Sequence, residues 1–217
     1  CHGYFMKAEL VSALTSRNAE ILPLLYEASD LKERLKRVDG VLIPGGQGDL
    51  DPELYGQKKK YENVKVIRER CDFEYRLLET YLPLNKPLLS ICWGLQMMNV
   101  FLGGSLIQDI PSEKDTKIRH EQSEPKHLPT HDVHLKENGR VEKLLKTNHL
   151  KVNSTHHQAI DRLAPQLEAE GHSPDGIIEC VIDRDHPLSL GVQWHPERLA
   201  NDVVIPAFLK VCRRSRS

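Results

Sequence analysis

No stretch of this sequence reaches the roughly 18 consecutive apolar residues that a membrane-crossing helix requires, so no such helix is expected. Cysteine is sparse. Cys1, Cys71, Cys92, Cys180 and Cys212 form an odd, widely spaced set without a C-x-x-C pair. Neither a disulfide framework nor a zinc site is expected from that spacing. A reducing compartment, the cytoplasm, fits it best, with most of the cysteines acting as apolar fillers. Excess charge of either sign is also missing. Lys and Arg number 30 against 31 Asp and Glu, a formal net charge of -1, so nothing draws the chain toward nucleic acid or an anionic membrane. Neither is expected as a partner. There is no G-x-x-x-x-G-K-[ST] and no G-x-G-x-x-G, which removes the usual phosphate cradles. Repeats and low-complexity tracts are absent. The opening Cys1-His2-Gly3-Tyr4-Phe5-Met6-Lys7 has neither a leading Met nor the pattern of a signal peptide.

What is present suits one α/β domain spanning residues 1–217. At 39% hydrophobic and 28% charged, the chain can bury a sizeable core. Short apolar runs bounded by Gly or Pro read as buried strands: Ile21-Leu22-Pro23-Leu24, Val41-Leu42-Ile43, Pro87 to Ile91 and Leu190 to Trp194. Between them lie segments with helical spacing: Tyr4 to Leu14, Leu31 to Val38, Val64 to Leu82, the stretch after Cys92 through Leu102, and Val203 to Val211. Strands alternating with helices predict a mostly parallel central sheet covered on both faces, a three-layer sandwich. Residues 111–130 read as a long, mobile loop of the kind found near active sites. Val152 to Ile182 reads as short strands and turns, with Ser173-Pro174-Asp175-Gly176 as a turn. The runs Lys58-Lys59-Lys60 and Arg213-Arg214-Ser215-Arg216 read as solvated surface and a frayed tail.

The strongest local signal is Ser90-Ile91-Cys92-Trp93-Gly94-Leu95-Gln96. An apolar strand runs directly into Cys92, a helical pattern follows, and small residues stand two before and two after it. This is the frame of a nucleophile elbow, whose tight turn tolerates little bulk at those positions. The helix N-terminus is expected to lower the thiol pKa and to offer N–H groups to an oxyanion. Left to itself, a lone Cys is more often a buried core residue. A thiol nucleophile needs a base and the base an orienting group. Trp194-His195-Pro196-Glu197 supplies both: His195 leaves a strand end, and Glu197, two residues on in extended chain, points the same way. Glycines after a strand at Pro44-Gly45-Gly46-Gln47-Gly48 could bring a backbone N–H to the substrate. Asn153-Ser154-Thr155-His156-His157-Gln158 is dense in donors. Substrate recognition is favoured there over structural hydrogen bonding, and over metal, because neighbouring strand residues face opposite ways and no Cys or carboxylate stands nearby at ligand spacing.

Taken together, these motifs resemble class I glutamine amidotransferases, and within them the γ-glutamyl-γ-aminobutyrate hydrolase family of peptidase-type γ-glutamyl hydrolases. The resemblance rests on Ile43-Pro44-Gly45-Gly46 with Asp49-Leu50-Asp51-Pro52-Glu53-Leu54-Tyr55-Gly56; on Lys86 to Val100; on Gly103 to Asp109; on Val152 to Ile160; on Pro174 to Glu179; and on Gly191 to Glu197. It implies a flavodoxin-like fold and a Cys92–His195–Glu197 triad that hydrolyses γ-glutamyl amides through a thioester. It also implies an oxyanion hole from the N–H groups of Gly46 and Trp93, and substrate contacts from Gln96, His156 and Ser154. No cofactor and no metal are implied, the partner is a small γ-glutamyl molecule, and a homodimer is left open. Three departures stand out. Ser90 occupies a position that is usually Gly, Trp93 one that is often Arg, and the family's first strand has no counterpart, so it is expected to precede Cys1. Two competing readings are a glutaminase subunit that supplies ammonia to a synthetase and a catalytically silent module on the same fold.

Overall fold

The computed structural model describes residues 6–26 and 30–214. The expectations for Cys1, for Tyr4 and Phe5, and for Ser215 and Arg216 lie outside the described residues.

Strand β1 (Val41–Ile43) and strand β2 (Leu88–Ile91) pair in parallel, and β2 pairs in parallel with β9 (Ser189–Val192). Their sequences are nearly all apolar because both faces are covered. In β2, Leu89 and Ile91 face a core completed by Leu10 and Leu14 of α1 (Ala8–Thr15) and by Ile205, Phe208 and Leu209 of α7 (Val204–Arg214). Leu88 faces the opposite core, which holds Leu35 of α2 (Leu31–Arg37), Leu77 and Leu78 of α3 (Arg68–Tyr81), and Leu95 and Met98 of α4 (Trp93–Phe101). The alternation is the two-residue period of an extended strand. Ser90 and its register partner Gly191 lie under α4, where a Cβ added at Gly191 would stand 3.0 Å from Met98 Cε and 3.2 Å from Leu95 Cδ1. Small residues at this pair let the helix settle close to the sheet.

Beyond β9 the sheet changes character. The order is β1-β2-β9-β8-β7-β4-β5, and the four pairings among β9, β8 (Ile178–Asp183), β7 (Leu167–His172), β4 (His131–Leu135) and β5 (His149–Val152) are antiparallel. The α/β sandwich is as expected, but its parallel part is confined to the three strands that carry the site. For β7 and β8 the reason is local: Ser173 to Gly176 closes a tight turn, with Gly176 at φ 83° and its N–H donated to the Ser173 carbonyl, and a short turn can join strands only in antiparallel fashion. A small separate ladder joins β3 (Leu106–Ile107) to β6 (Ala159–Ile160).

Two expected elements differ. Residues 21–25 form no strand; Pro23 has no N–H for a ladder, and Leu22 and Leu25 are exposed. The helix expected from Val64 starts only at Arg68, because Lys65 and Ile67 are held extended by backbone bonds to Asp49. The 111–130 segment adds one helical turn, α5 (Ile110–Glu113), and its remainder is anchored rather than loose: Gln122 and Ser154 exchange two bonds, and the His156 N–H donates to the His120 carbonyl.

Asp49 leads to the pin that ties these loops together. His157 places Nε2 2.9 Å from Asp49 Oδ1 and Nδ1 3.0 Å from Asp109 Oδ1, and Asn63 donates to the same Asp109 oxygen. The Asp49 bond, reinforced by Asp109 against the opposing effect of burial, holds the His157 imidazolium up to a pKa of about 9. A pKa raised above the unfolded value means stability that is full below about pH 6.5 and drains away as pH rises through about 9, worth on the order of 2–3 kcal/mol. Urea unfolding at a series of pH values is therefore expected to show this loss in the native chain and not in His157→Gln; equal slopes in the two proteins would contradict the pin.

Candidate active site

Cys92 sits between β2 and α4 with φ 51° and ψ -103°. A non-Gly residue at positive φ is strained, and such residues persist only where the surroundings hold them. Three constraints do so. The Cys92 N–H donates to the Val192 carbonyl of β9 at 2.7 Å. Its carbonyl accepts from Gln96 N in the first turn of α4. Gly94 packs so closely on the end of β1 that an added Cβ would stand 2.5 Å from the Ile43 carbonyl oxygen. The small residue two after the Cys is thus required by helix-on-strand contact, in keeping with a nucleophile elbow.

His195 follows the end of β9 and precedes Pro196. Its backbone is clamped on both sides by Asn153, whose Oδ1 accepts from His195 N at 2.8 Å and whose Nδ2 donates to His195 O at 3.0 Å. Its Nδ1 lies 2.7 Å from Glu197 Oε1. Gly45 shows how near the ring is to the thiol. A methyl group there would stand 2.4 Å from His195 Cε1 and 3.2 Å from Cys92 Cβ, so imidazole and thiol carbon flank the same small gap. All three side chains are nearly sealed, and Cys92 is 6% exposed. A cleft of about 410 Å³ lined by Glu9, Arg17, Lys126 and Arg198 reaches Glu197, but neither Cys92 nor His195 lines it.

Burial sets the electrostatics. It pushes the Cys92 thiol up to about 12, with the Glu197 charge adding to the rise and the Trp93 N–H opposing it. The expected lowering by the helix N-terminus is therefore outweighed, and the resting group is a thiol. Burial also lowers the His195 pKa against the pull of Glu197, leaving the imidazole neutral. Glu197 is raised by burial, but the bond from His195 outweighs this and holds its carboxyl below the usual range.

Gly46 and Trp93 are brought together by a network that the linear sequence does not reveal. Arg70 of α3 donates from Nη2 to the Pro44 carbonyl at 2.6 Å and from Nε to Glu74 Oε1 at 2.7 Å, and its guanidinium lies 4.3 Å from the centre of the Trp93 ring. Trp93 Nε1 donates to Glu74 Oε2 at 2.6 Å. The guanidinium fills the space beside Gly46, where a Cβ would collide with Nη1. One buried carboxylate thus joins the loop after β1 to the first residue of α4. Burial drives Glu74 upward in pKa while Arg70 and Trp93 pull it down. The only hint in the sequence is the i, i+4 spacing of Arg70 and Glu74, which on a surface helix would be unremarkable.

The three residues assigned to substrate lie farther back. Gln96 donates to the Gln158 carbonyl at 3.1 Å and to Gln193 Oε1 at 3.3 Å. Ser154 Oγ and His156 Nε2 lie 3.1 Å apart in a buried cluster with His120, His131 and Glu179. His156 and His157 do face opposite ways, the second toward Asp49 and Asp109.

The fold and this strand–turn–helix cysteine define a class I glutamine amidotransferase-like protein. In solved structures, similarity extends to a putative GMP synthase component from Thermoplasma acidophilum (TM-score 0.67, 16% identity, 99% of this chain and 92% of that one). It extends also to the glutaminase domain of a Trypanosoma brucei CTPS (TM-score 0.64, 16% identity, 96% and 87%). At that identity the likeness is one of fold. The peptidase C26 family model matches residues 5–197, and the chain belongs to that family. It is 37% identical to protein NtpR of Enterococcus hirae over 83% of this chain and 77% of that protein. It is 31% identical to γ-glutamyl-γ-aminobutyrate hydrolase PuuD of Escherichia coli over 87% and 78%. The chain is accordingly a glutamine-amidotransferase-like hydrolase. None of the helices among the described residues is long and apolar enough to cross a membrane.

Trp93→Phe removes one of the donors to the sealed Glu74 carboxylate and is expected to lower stability by about 1–3 kcal/mol. A denaturant midpoint that does not move would show that the indole bond contributes nothing.

Proposed function

We propose that the chain hydrolyses γ-glutamyl amide bonds of small molecules, of the kind named for its γ-glutamyl-γ-aminobutyrate hydrolase relatives, with Cys92 as nucleophile, His195 as base and Glu197 as the group that orients it. The observation that carries this is the Gly45 gap, with thiol and imidazole on its two sides and the far imidazole nitrogen held 2.7 Å from Glu197. Because thiol and imidazole are both neutral at rest, the thiol proton moves to His195 as the sulfur adds to the γ-carbonyl carbon. The carbonyl oxygen takes the negative charge and is met by the N–H groups of Gly46 and Trp93. The tetrahedral species collapses, His195 gives its proton to the departing amine, and a γ-glutamyl thioester remains. Water then adds to the thioester with His195 taking its proton. Collapse returns the proton to the Cys92 sulfur and frees the glutamyl carboxylate. No cofactor, nucleic acid or membrane enters these steps. Trp93, where the family often carries Arg, borders the carbonyl site and is a candidate for tuning the choice of amine.

A second reading has the same chemistry serving a synthetase with ammonia from glutamine, in keeping with relatives described as putative glutamine amidotransferase-like proteins, such as one from Rickettsia prowazekii at 29% identity. Purified protein assayed alone against glutamine and a panel of substituted γ-glutamyl amides separates the two. Release of substituted amine without a partner is expected, and Cys92→Ala should abolish it. Turnover that survives in Cys92→Ala would refute the nucleophile assignment, and ammonia release from glutamine alone would favour the second reading.

The lowered His195 pKa carries a pH signature. The base must be neutral, so kcat/KM is expected to rise through one ionisation below the ordinary 6.5 and then stay level on the alkaline side. A limb that instead rises near pH 8 would mean that thiol ionisation controls the rate. Gly45→Ala should push the ring off the thiol and cost about 100-fold or more in kcat at nearly unchanged KM.

A further inference from the structure

Next to the candidate active site, three histidines turn inward on one carboxylate. His120 Nδ1, His131 Nε2 and His156 Nε2 lie 3.4, 3.6 and 3.6 Å from Glu179 Oε1. Glu179 has no solvent exposure, and His120, His131 and His156 are at most 7% exposed. The outer nitrogen of every ring is already committed. His131 Nδ1 lies 3.1 Å from the Asp132 carbonyl, His156 Nδ1 2.9 Å from the Gln158 carbonyl, and His120 Nε2 3.0 Å from Asp175 Oδ2.

Those outer partners are all acceptors, so the outer nitrogen carries the hydrogen in each ring, and a neutral imidazole has only one. The inner nitrogens therefore present lone pairs to the carboxylate. Ser154 Oγ, 3.3 Å from His120 Nδ1 and 3.1 Å from His156 Nε2, can donate its single proton to one of them. A proton on His120, which would lie between Asp175 and Glu179, relieves one more contact. Even so, His131 Nε2 and Glu179 Oε2 have no hydrogen-bond partner among the described residues. Lone pairs facing a buried anion repel each other, and leaving them unpaired is unfavourable. A cation at their centre would turn each repulsion into a ligand bond.

We propose that His120, His131 and Glu179, with His156 beside them, form a binding site for a divalent transition-metal ion of the zinc type. Donor atoms of His120, His131 and Glu179 lie within 4.8 Å of one another. With metal–ligand bonds of about 2.0–2.2 Å, tetrahedral neighbours stand roughly 3.3–3.6 Å apart, the spacing seen around Glu179 Oε1. Rings anchored outward on a carboxylate or a carbonyl are the usual second layer of a metal site. Imidazole with one carboxylate suits zinc and its neighbours rather than calcium or magnesium, which prefer oxygen. A cavity of about 330 Å³, lined in part by Thr116, His120, His156 and His157, gives the ion a way in.

The spacing argument made on the sequence covers only the 153–158 stretch and does not reach this cluster, whose members are not neighbours in the chain. They come from the 114–130 segment, β4, the loop after β5 and β8. The ion would fasten those four segments, and Asn153 in the same loop clamps His195. Its role is structural, and it stands whether or not the hydrolase reading does.

The test uses the full chain without an affinity tag, stripped with a chelator and titrated with Co²⁺ or Zn²⁺ alone. One ion per chain is expected, with the visible absorption of low-coordinate Co²⁺ and a rise in melting temperature. His131→Gln and Glu179→Gln, checked for folding by circular dichroism, are expected to weaken binding by at least about 100-fold. His149→Gln, in the separate exposed His134–His149 pair, should leave it unchanged. X-ray absorption of the Zn²⁺-loaded native chain should show imidazole and oxygen neighbours and no sulfur, a readout that does not depend on the variants folding. The absence of saturable binding, a sulfur ligand, or binding that survives in both folded variants as an adventitious ion would each overturn the proposal.

Discussion

The strained turn at Cys92 is the constraint from which the rest of the structure takes its arrangement. A side chain at φ 51° costs roughly 1–3 kcal/mol, and the fold holds it with a backbone bond to β9 and a helix jammed against the end of β1. Those two contacts come from the two strands that flank β2 in parallel. The same parallel register delivers the Gly45-Gly46 loop from one side and His195 from the other. Parallel pairing sends all three chain ends out at one edge, where an α/β sheet places its ligand site.

Above that edge the protein relies on buried polar contacts rather than apolar packing. Glu74 joins Arg70 to Trp93, Asn153 grips both backbone groups of His195, and His157 bridges Asp49 and Asp109. Each removes charged or polar groups from water, which is costly unless the partners are well aligned. What such contacts supply is position: hydrogen bonds fix direction, whereas apolar contact fixes only proximity. The backbone N–H groups and the imidazole that would act on a carbonyl all depend on such fixed directions. The Glu179 cluster departs from this pattern, since His131 Nε2 and Glu179 Oε2 lack protein partners among the described residues, and this is why we read it as a cation site.

Much of this was legible in the chain. The Cys92 elbow, the His195-Pro196-Glu197 step and the glycines after β1 lie in contiguous stretches whose geometry is local, so residue size and strand period suffice to read them. His156 and His157 also face opposite ways, but they lie in the loop between β5 and β6 and not on the strand from which that expectation was drawn. Less was legible where long-range bonding decides. Residues 64–67 carry helical spacing but are held extended by Asp49, and the antiparallel half of the sheet depends on which strands a short turn can join.

By itself the sequence determined the strand-to-helix cysteine, the pairing of His195 with a carboxylate two residues on, and the layered class of the fold, because each is encoded by neighbours in the chain. Tertiary structure alone decided that the Cys92 thiol rests protonated, since a pKa answers to burial and to charges brought in from afar. It alone brought Arg70 and Glu74 up behind Trp93 and gathered His120, His131, His156 and Glu179 around one point. Contacts between residues dozens of positions apart leave no period or spacing to read, and only the folded chain supplies them.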